Sequence, residues 1–407
     1  MSLSVADVLA LPGLESMTPR AGARGLQNEV RWPYVAENED IAEWVMGGEL
    51  VFVTGINHPR HEANLLLLLR QAHERCSAGL VILTGPEFIR AIPASVISEA
   101  ERLGVPLIEQ PYALKMVIVT QAIGTALVQA QQFGRSRQQL LEQLLEGDSQ
   151  SVEVLRQRGE RLGLALDVPR QIVVLSLEGS EQLFASHDAQ TAEQLLQQHQ
   201  QRVQESLEGE LAELGDALPL IRQGRHWIAL LPAESSADET RNRERMAHLL
   251  SALRPPLQPL RPFLGLGDGG YLPPRFAQGL GEARQALDVA QRFPERLGLC
   301  SFAELGVLEL LGAIRDRSLL DRFVERVLGP LIGDDSRHTP VLMPTLEAWF
   351  QENGNLVLAA QRLQVHRNTL SYRMQRIEAL TGCSFDTPHD RLNISIALLI
   401  RRLSAPA

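Results

Sequence analysis

Between residues 49 and 111 the chain alternates apolar runs with helical patterns, and this alternation restricts the fold more than any other feature of the sequence. The runs ELVFVTG, GLVILTG and VPLIEQP have the continuous apolar character of strands buried on both faces. Helical patterns over residues 60–75 and 94–103 separate them. Repetition of this kind predicts an α/β domain with a parallel sheet and right-handed crossovers.

Polar residues follow the ends of these predicted strands. In an open parallel sheet the carboxyl ends of the strands meet at one edge, and small ligands bind there. We therefore expect a small-molecule pocket at that edge, formed by hydroxyl, imidazole, carboxylate and backbone groups. Its residues would be Thr54, Gly55, His58, Thr84, Gly85, Glu109 and Tyr112. The alternative is that Thr-Gly after a strand serves only the turn.

Residues 113–150 have the pattern of a helical connector, with leucines and valines recurring among glutamines. Such a helix either packs on a neighbouring domain or pairs with the same helix of a second chain. The run Gly147-Asp148-Ser149 marks its end.

Residues 151–302 have a different order of predicted elements. A helix is followed by the strand QIVVLSL, a long helix, the strands PLIRQ and HWIALL, a helix, the strand RPFLGLG and a final helix. A turn at Gly224-Arg225 joins the two central strands into a hairpin. The order predicts a ferredoxin-like α+β domain, and it resembles the GGDEF-type nucleotide-cyclase fold.

A working cyclase of that type needs carboxylates after the first strand and an acidic run at the hairpin, to hold metal and nucleotide. Here Glu178 is the only candidate carboxylate, and the hairpin reads QGRHW. We therefore expect a degenerate GGDEF-like domain that serves assembly or signal transmission, with no catalytic residues and no metal site.

Three glycines, Gly265, Gly267 and Gly270, fit the spacing G-x-G-x-x-G after a strand. In a dinucleotide site this motif opens directly into a helix. Pro273 and Pro274 delay the next helix here, so we expect a glycine-rich loop and no cofactor.

Residues 355–380 hold two short helical patterns joined by a tight turn. Buried faces are expected from Leu356, Ala359, Ala360 and Leu363 in the first helix, and from Leu370, Met374 and Ile377 in the second. Asn355 is a suitable N-cap. Gln364 occupies the turn position where a left-handed glycine is usual, at a cost of about 1 kcal/mol. The pattern predicts a helix-turn-helix whose second helix enters the major groove of DNA.

The second helix would present hydrogen-bonding side chains outward. We predict that Arg367, Asn368, Ser371, Tyr372 and Gln375 contact base edges. Thr369, Arg373 and Arg376 would contact phosphates. His366 would cap the helix, and its ring would also reach the DNA backbone. One such motif buries too little DNA for tight binding, so we expect a homodimer or higher homo-oligomer on double-stranded DNA.

The charge balance restricts where DNA can bind. The net charge of −10 excludes a protein that coats nucleic acid over its whole surface. From residue 341 onward, however, arginines outnumber carboxylates by seven to five.

The three cysteines have neither disulfide nor metal spacing, and the apolar runs are too short to span a bilayer. These features indicate a soluble, cytoplasmic chain without membrane contact.

Two stretches of the sequence resemble the PucR family of bacterial transcriptional regulators. The first is SVADVLALPGL with VRWPYVAENEDIAEWVMGGELVFVTG, and the second is LQVHRNTLSYRMQRIEALTG with FDTPHDRLNISIALLIRRL. The resemblance implies a PucR-type α/β sensor over residues 1–112, a degenerate GGDEF-like middle domain, and an all-α region over residues 303–407 that carries the helix-turn-helix. It further implies an activator of catabolic genes that responds to an unidentified small-molecule effector.

Two other functions are compatible with the residues. The first is an α/β enzyme with a helical dimerisation tail. The second is a non-enzymatic assembly scaffold, which would show no sequence-selective binding to DNA.

Overall fold

The computed structural model describes residues 3–56, 58–147, 152–214, 216–314, 316–337 and 340–404. The chain divides into two compact units, Met1–Gln139 and Leu140–Ala407. Each unit is described by itself.

The first unit is built on a five-stranded sheet with the order β1-β5-β4-β3-β2. Its elements are α1 (Val5–Leu9), β1 (Thr18–Ala21), β2 (Trp32–Val35), β3 (Glu49–Val53), α2 (Glu62–Glu74), β4 (Gly79–Thr84), α3 (Ala94–Leu103), β5 (Leu107–Pro111) and the first part of α4 (Met116–Glu146). Strands β2 to β5 are parallel, as predicted for β3, β4 and β5. Strand β1 adds an antiparallel edge beside β5.

Both faces of this sheet are covered, which explains the uninterrupted apolar runs. In β3, Val51 and Val53 face the core formed with α2 and α3. Leu50 and Phe52 face the opposite core, which includes α1 and the start of α4. Because successive side chains of a strand point to opposite faces, both sets must be apolar.

Helix α4 contributes to two separate cores. Val119 and Ile123, near its beginning, pack in a core of the first unit. Leu140 and Leu144, near its end, pack in a core of the second unit. Residues 116–146 of the predicted connector therefore form a single helix with its beginning and its end buried in different cores, and the predicted end at Asp148 and Ser149 lies outside the described residues.

The second unit begins with an α+β domain. Its elements are α5 (Val152–Arg161), β6 (Arg170–Glu178), α6 (Ser180–Ser186), α7 (Ala189–Ala212), β7 (Ile221–Gln223), β8 (His226–Pro232), α8 (Ser236–Leu257), β9 (Arg261–Leu266), α9 (Phe276–Arg292) and β10 (Leu299–Ser301). The strand order is β10-β9-β6-β8-β7, and β6 is antiparallel to both β8 and β9. Without β10, this is the antiparallel order of the predicted ferredoxin-like fold.

The glycines of the G-x-G-x-x-G spacing serve packing between a strand and a helix. A Cβ atom on Gly265 would lie 2.1 Å from the carbonyl oxygen of Ala283 in α9. A Cβ atom on Gly267 would lie 2.7 Å from the carbonyl oxygen of Gly279. These two glycines therefore let the backbones of β9 and α9 approach closely.

The rest of the second unit is helical. It contains α10 (Val307–Ala313), α11 (Arg317–Arg337), α12 (Leu342–Gln351), α13 (Leu356–Arg362), α14 (Arg367–Thr381) and α15 (Pro388–Ser404). Helices α11 to α15 share one apolar core, and α15 also packs against α9 through Ile400. Short 3-10 turns occur at Ala23–Gly25, Pro273–Arg275, Pro294–Arg296 and Phe302–Glu304.

Candidate functional site

Helix α13 is started by Asn355, as predicted. The side-chain oxygen of Asn355 accepts hydrogen bonds from the backbone N–H groups of Val357, at 3.0 Å, and Leu358, at 3.2 Å. Ala359 and Ala360 are buried in the helical core. Their small side chains allow α14 to cross α13 closely.

The turn between α13 and α14 closes with a left-handed residue. Gln364 has φ of 54°, which confirms the strained position expected from the sequence. The N–H of Val365 donates to the carbonyl of Ala360 at 3.0 Å, and the N–H of Gln364 donates to Gln361 at 3.1 Å. The Val365 bond, from the second residue beyond the helix back to its last turn, is characteristic of a Schellman motif. It fixes where α14 begins.

Helix α14 is capped by His366. The Nδ1 atom of His366 accepts a hydrogen bond from the backbone N–H of Asn368 at 3.2 Å. An accepting Nδ1 carries no proton, so the neutral ring holds its proton on Nε2, where it can be donated outward. Leu370, Met374 and Ile377 are buried, as predicted.

The outer face of α14 is polar and open to solvent. Its exposed residues are His366, Arg367, Asn368, Thr369, Tyr372 and Gln375. Its half-buried residues are Ser371, Arg373 and Arg376. The residues predicted to contact DNA therefore lie on one helix and at its cap, with the buried set on the opposite side.

Arg373 is held by a residue that the sequence did not indicate. Its guanidinium donates to the hydroxyl oxygen of Thr345 at 3.4 Å. Thr345 is fully buried in α12, and its hydroxyl donates to the carbonyl of Val341 at 2.6 Å. Thr345 thus connects Arg373, on the flank of α14, to α12.

The sheet edge predicted to bind a ligand brings Thr84 and Glu109 together. The Thr84 hydroxyl donates to one carboxylate oxygen of Glu109 at 2.7 Å, and Arg20 donates to the other at 2.5 Å. The Thr84 hydrogen bond, opposed by burial and assisted by Arg20, holds the pKa of Glu109 below its ordinary value. The carboxylate is therefore ionised near neutral pH and already has partners within the chain.

The neighbouring residues of this edge are closely packed. A Cβ atom on Gly85 would lie 2.8 Å from the Cβ of Tyr112, and the Tyr112 ring lies 5.4 Å from that of Phe88. A Cβ atom on Gly55 would lie 3.3 Å from Phe88. Gly55 thus lies against Phe88, Gly85 lies against Tyr112, and the two aromatic rings contact each other.

The remaining two predicted ligand residues lie on the loop after β3. The hydroxyl oxygen of Thr54 accepts from the N–H of Ile56 at 3.3 Å, which is the turn role weighed against ligand binding. His58 is half-buried before α2.

The hairpin of the middle domain carries basic residues where a cyclase carries acids. The Glu178 carboxylate accepts from Gln291 at 3.1 Å and lies 3.4 Å from Arg225 on the hairpin. Burial, with the positive charges of Arg225 and Arg284, lowers the pKa of His226. The hairpin thus places an arginine beside Glu178, where a metal site would need a second carboxylate.

The described ranges contain no cluster of three or more His, Cys, Asp or Glu residues able to hold a metal ion. Within the same ranges, no helix is long and apolar enough to cross a bilayer.

Comparison with known families matches each part of this chain. Residues 7–127 match the purine catabolism regulatory protein-like family, residues 146–289 match a GGDEF-like domain, and residues 342–400 match the PucR C-terminal helix-turn-helix domain. The chain thus carries a PucR-type domain at its N-terminal end, a GGDEF-like domain in the middle and a PucR C-terminal helix-turn-helix domain. Its middle domain is the GGDEF-like module, and α13 and α14 lie within the matched helix-turn-helix.

Three of the curated relatives of this chain are regulators or activators by name. The carbohydrate diacid regulator of Escherichia coli is 28% identical over 66% of this chain and 66% of its own length. The purine catabolism regulatory protein of Bacillus subtilis is 29% identical over 28% of this chain and 21% of its own length. The DNA-binding transcriptional activator AdeR of the same species is 27% identical over 30% of this chain and 29% of its own length. The match therefore spans less than two thirds of each of these relatives.

A solved structure, the regulator of polyketide synthase expression from Bifidobacterium adolescentis, is also similar over 67% of this chain. It is 18% identical with a TM-score of 0.26, which is too low to establish a shared arrangement of domains.

Proposed function

We propose that this chain is a transcriptional regulator of the PucR family that binds double-stranded DNA through α14. The observation that carries the proposal is the polar outer face of α14, set by three buried residues, Leu370, Met374 and Ile377, and a fixed turn. A helix held in this way presents side chains at its beginning to base edges in the major groove. The proposal places the chain in the cytoplasm, where bacterial DNA lies.

Within this proposal the residues of the outer face have one of two roles. Arg367, Asn368, Tyr372 and Gln375 are exposed and would contact base edges, with half-buried Ser371 beside them. Thr369, Arg373 and Arg376 would contact phosphates. The Nε2 proton of His366 would be donated to the DNA backbone.

The proposal includes a homodimer. A single helix-turn-helix buries less DNA than tight specific binding requires, and two copies would read two half-sites. Helix α4 supports this arrangement because Val117, Ile118 and Val128 are exposed on it, at 64%, 45% and 54%. Apolar side chains on a long helix are suited to pairing with the same helix of a second copy.

We further propose that a small-molecule effector binds the N-terminal domain and that the regulated genes are catabolic. The names of two relatives, a carbohydrate diacid regulator and a purine catabolism regulatory protein, support this reading, and that of AdeR supports an activator. The middle domain would transmit the signal without cyclase activity, because Glu178 faces Arg225 where a metal would need a second carboxylate.

The test is selection of binding sites by the full chain from a pool of random double-stranded DNA. A sequence preference with two related half-sites is expected. Arg367→Ala should cost about 1–3 kcal/mol and relax the preference at one position, whereas Arg376→Ala should mainly reduce the salt dependence of binding. Arg158→Ala, at an exposed position on α5, is the control and should change neither. Absence of any sequence preference at every salt concentration would contradict the proposal and favour an assembly scaffold.

A further inference from the structure

A groove of about 550 Å³ lies at the edge of the N-terminal sheet opposite to Thr84 and Glu109. It is formed where β3 and β4 begin, by the segment before β2, by the residues before β3 and by the turns after α2 and α3. None of the residues predicted to bind a ligand at the carboxyl edge lines it. The groove is therefore a separate candidate site in the same domain.

The wall of the groove is fixed by backbone hydrogen bonds. The N–H of Arg31 donates to the carbonyl of Gly48 at 2.8 Å, and the N–H of Gly48 donates to the carbonyl of Cys76 at 2.9 Å. Gly48 has φ of 81°, and a Cβ atom there would lie 2.8 Å from Cδ of Arg31. Glycine thus gives the Arg31 side chain room along the groove. A wall of this kind is preformed, as ligand sites usually are.

Arg31 supplies a positive charge that a ligand could use. Its Nε lies 3.6 Å from Oε2 of Glu29, and the two side chains are 66% and 49% exposed. An ion pair this exposed and this long contributes little stability, so a ligand can separate it at small cost. The planar guanidinium then matches a carboxylate with two parallel hydrogen bonds.

The opposite charge comes from Glu29 and from two helix ends. Helix α2 ends at Glu74 and α3 ends at Leu103, and His73 and Gly104, at these ends, line the groove. The carboxyl ends of helices carry partial negative charge and favour a cation nearby. A purely anionic ligand would be opposed by these groups, whereas an ammonium group would be stabilised by them.

The rest of the lining is part apolar and part polar, with Asn28, Cys76 and Ser77 beside the apolar side chains. Met46 is 95% exposed at the rim, and Ala72, Ala78 and Val105 are buried in the walls. Ser77, also in the wall, is 5% exposed, and its hydroxyl has no hydrogen-bond partner in the described part of the chain. A bound molecule with a short apolar side chain would cover Met46 and remove it from water.

We infer that this groove binds a small zwitterion, with a carboxylate on Arg31, an ammonium group between Glu29 and the helix ends, and a short apolar side chain against Met46. An α-amino acid has this chemistry. The inference rests on the proposed function in one respect, because it takes this ligand to be the effector.

The experiment is isothermal titration of the full chain with each of the twenty L-amino acids. At least one with a short apolar side chain should bind. Its amide, which lacks the carboxylate, and its deaminated acid, which lacks the ammonium group, should each bind at least about tenfold more weakly, since each loses one charged contact. If no amino acid binds, or if the deaminated acid binds as tightly, the inference is wrong.

Two variants test whether the ligand binds in this groove. Arg31→Gln should weaken binding about ten- to a hundredfold. Arg70→Gln is the matched control, because Arg70 is 59% exposed and pairs with Glu99 at 3.2 Å in the same domain, and it should leave binding unchanged. Unchanged binding by Arg31→Gln, with a native circular dichroism spectrum for both variants, would move the ligand elsewhere and overturn the inference.

DNA selection on the same preparations separates the two proposals. Sequence-selective DNA binding without any amino-acid binding would remove this inference alone. Amino-acid binding without sequence-selective DNA binding would remove the proposed function and leave the groove as a ligand site.

Discussion

The guanidinium carbon of Arg402 lies 4.1 Å from the centre of the Phe293 ring, and a guanidinium nitrogen lies 3.0 Å from a carboxylate oxygen of Glu295. Arg402 belongs to α15 of the helical region, whereas Phe293 and Glu295 follow α9 of the GGDEF-like domain. One side chain therefore makes both a cation–π contact and an ion pair between the helical region and the GGDEF-like domain.

Replacement of Arg402 should weaken this contact. Arg402→Ala is expected to lower the stability of the second unit by about 1–2 kcal/mol, because a partly buried cation–π contact and an ion pair are lost together. Urea unfolding followed by tryptophan fluorescence measures the change. Arg401→Ala is the control, since Arg401 pairs with Glu347 at 3.5 Å within the helical region, and it should cost less. Equal losses of stability for both variants would show that the contacts of Arg402 with Phe293 and Glu295 add no particular stability.

The left-handed turn of the helix-turn-helix makes a prediction of opposite sign. Gln364→Gly should raise stability by about 1 kcal/mol, because glycine adopts the observed φ without the clash of a Cβ atom. The same change at Gln361, which is exposed in α13, should lower stability by about 1 kcal/mol because the backbone there is helical. Thermal denaturation of both variants measures the difference. A destabilised Gln364→Gly variant would show that the Gln364 side chain has a further role.

The close approach of β9 and α9 predicts intolerance of a single methyl group. Gly265→Ala should destabilise the second unit by about 1–3 kcal/mol or more, because the new Cβ would fall 2.1 Å from the Ala283 carbonyl oxygen. Gly281→Ala is the matched control in α9, since a Cβ atom there meets nothing within 4 Å. That variant should be neutral or stabilised by up to about 1 kcal/mol. Urea titration distinguishes the two.

Glu109 makes stability depend on pH in the acid range. Its pKa is lowered in the folded chain, chiefly by the Thr84 hydroxyl and also by Arg20, relative to an ordinary value of 4.5. The resulting stabilisation is fully present above that ordinary value and is lost as the pH falls through the lowered pKa. Glu109→Gln should therefore be less stable than the native chain at pH 7, with a difference that shrinks in acid. A difference that grew on acidification would contradict the assigned sign.

Local chemistry made much of this structure predictable. The apolar runs of β3 and β4 and the cap at Asn355 follow from the residues themselves and their immediate neighbours. The left-handed conformation of Gln364 follows from its position in the turn of the helix-turn-helix pattern. The buried faces of α13 and α14 follow in the same way, from helical periodicity.

Other features depend on partners distant in the sequence. Strand β1 has three exposed residues in TPRA and no apolar pattern, so only its pairing with β5 identifies it. Helix α8 continues through Pro255 and Pro256 to Leu257, although proline ordinarily ends a helix. Leu253 and Leu257 are buried in the core, and burying two leucines can offset a proline penalty of about 3 kcal/mol.

The sites show the same division. The outer face of α14 could be predicted from the sequence because all of its residues lie in one helical segment. The contact between Thr345 and Arg373 joins two helices. The groove beside Arg31 is lined by loops that lie far apart in the sequence of the N-terminal domain. No spacing within a single segment indicates either of them.

The two buried ends of α4 limit how this chain can be divided or recombined. A fragment ending at residue 112 would lack Val119 and Ile123 and would leave an apolar face of the N-terminal sheet open to water. Removing the last turns of the same helix would uncover Leu140 and Leu144 in the second unit. An N-terminal domain exchanged between such chains must therefore carry at least the first part of α4, so recombination directly after β5 would be selected against.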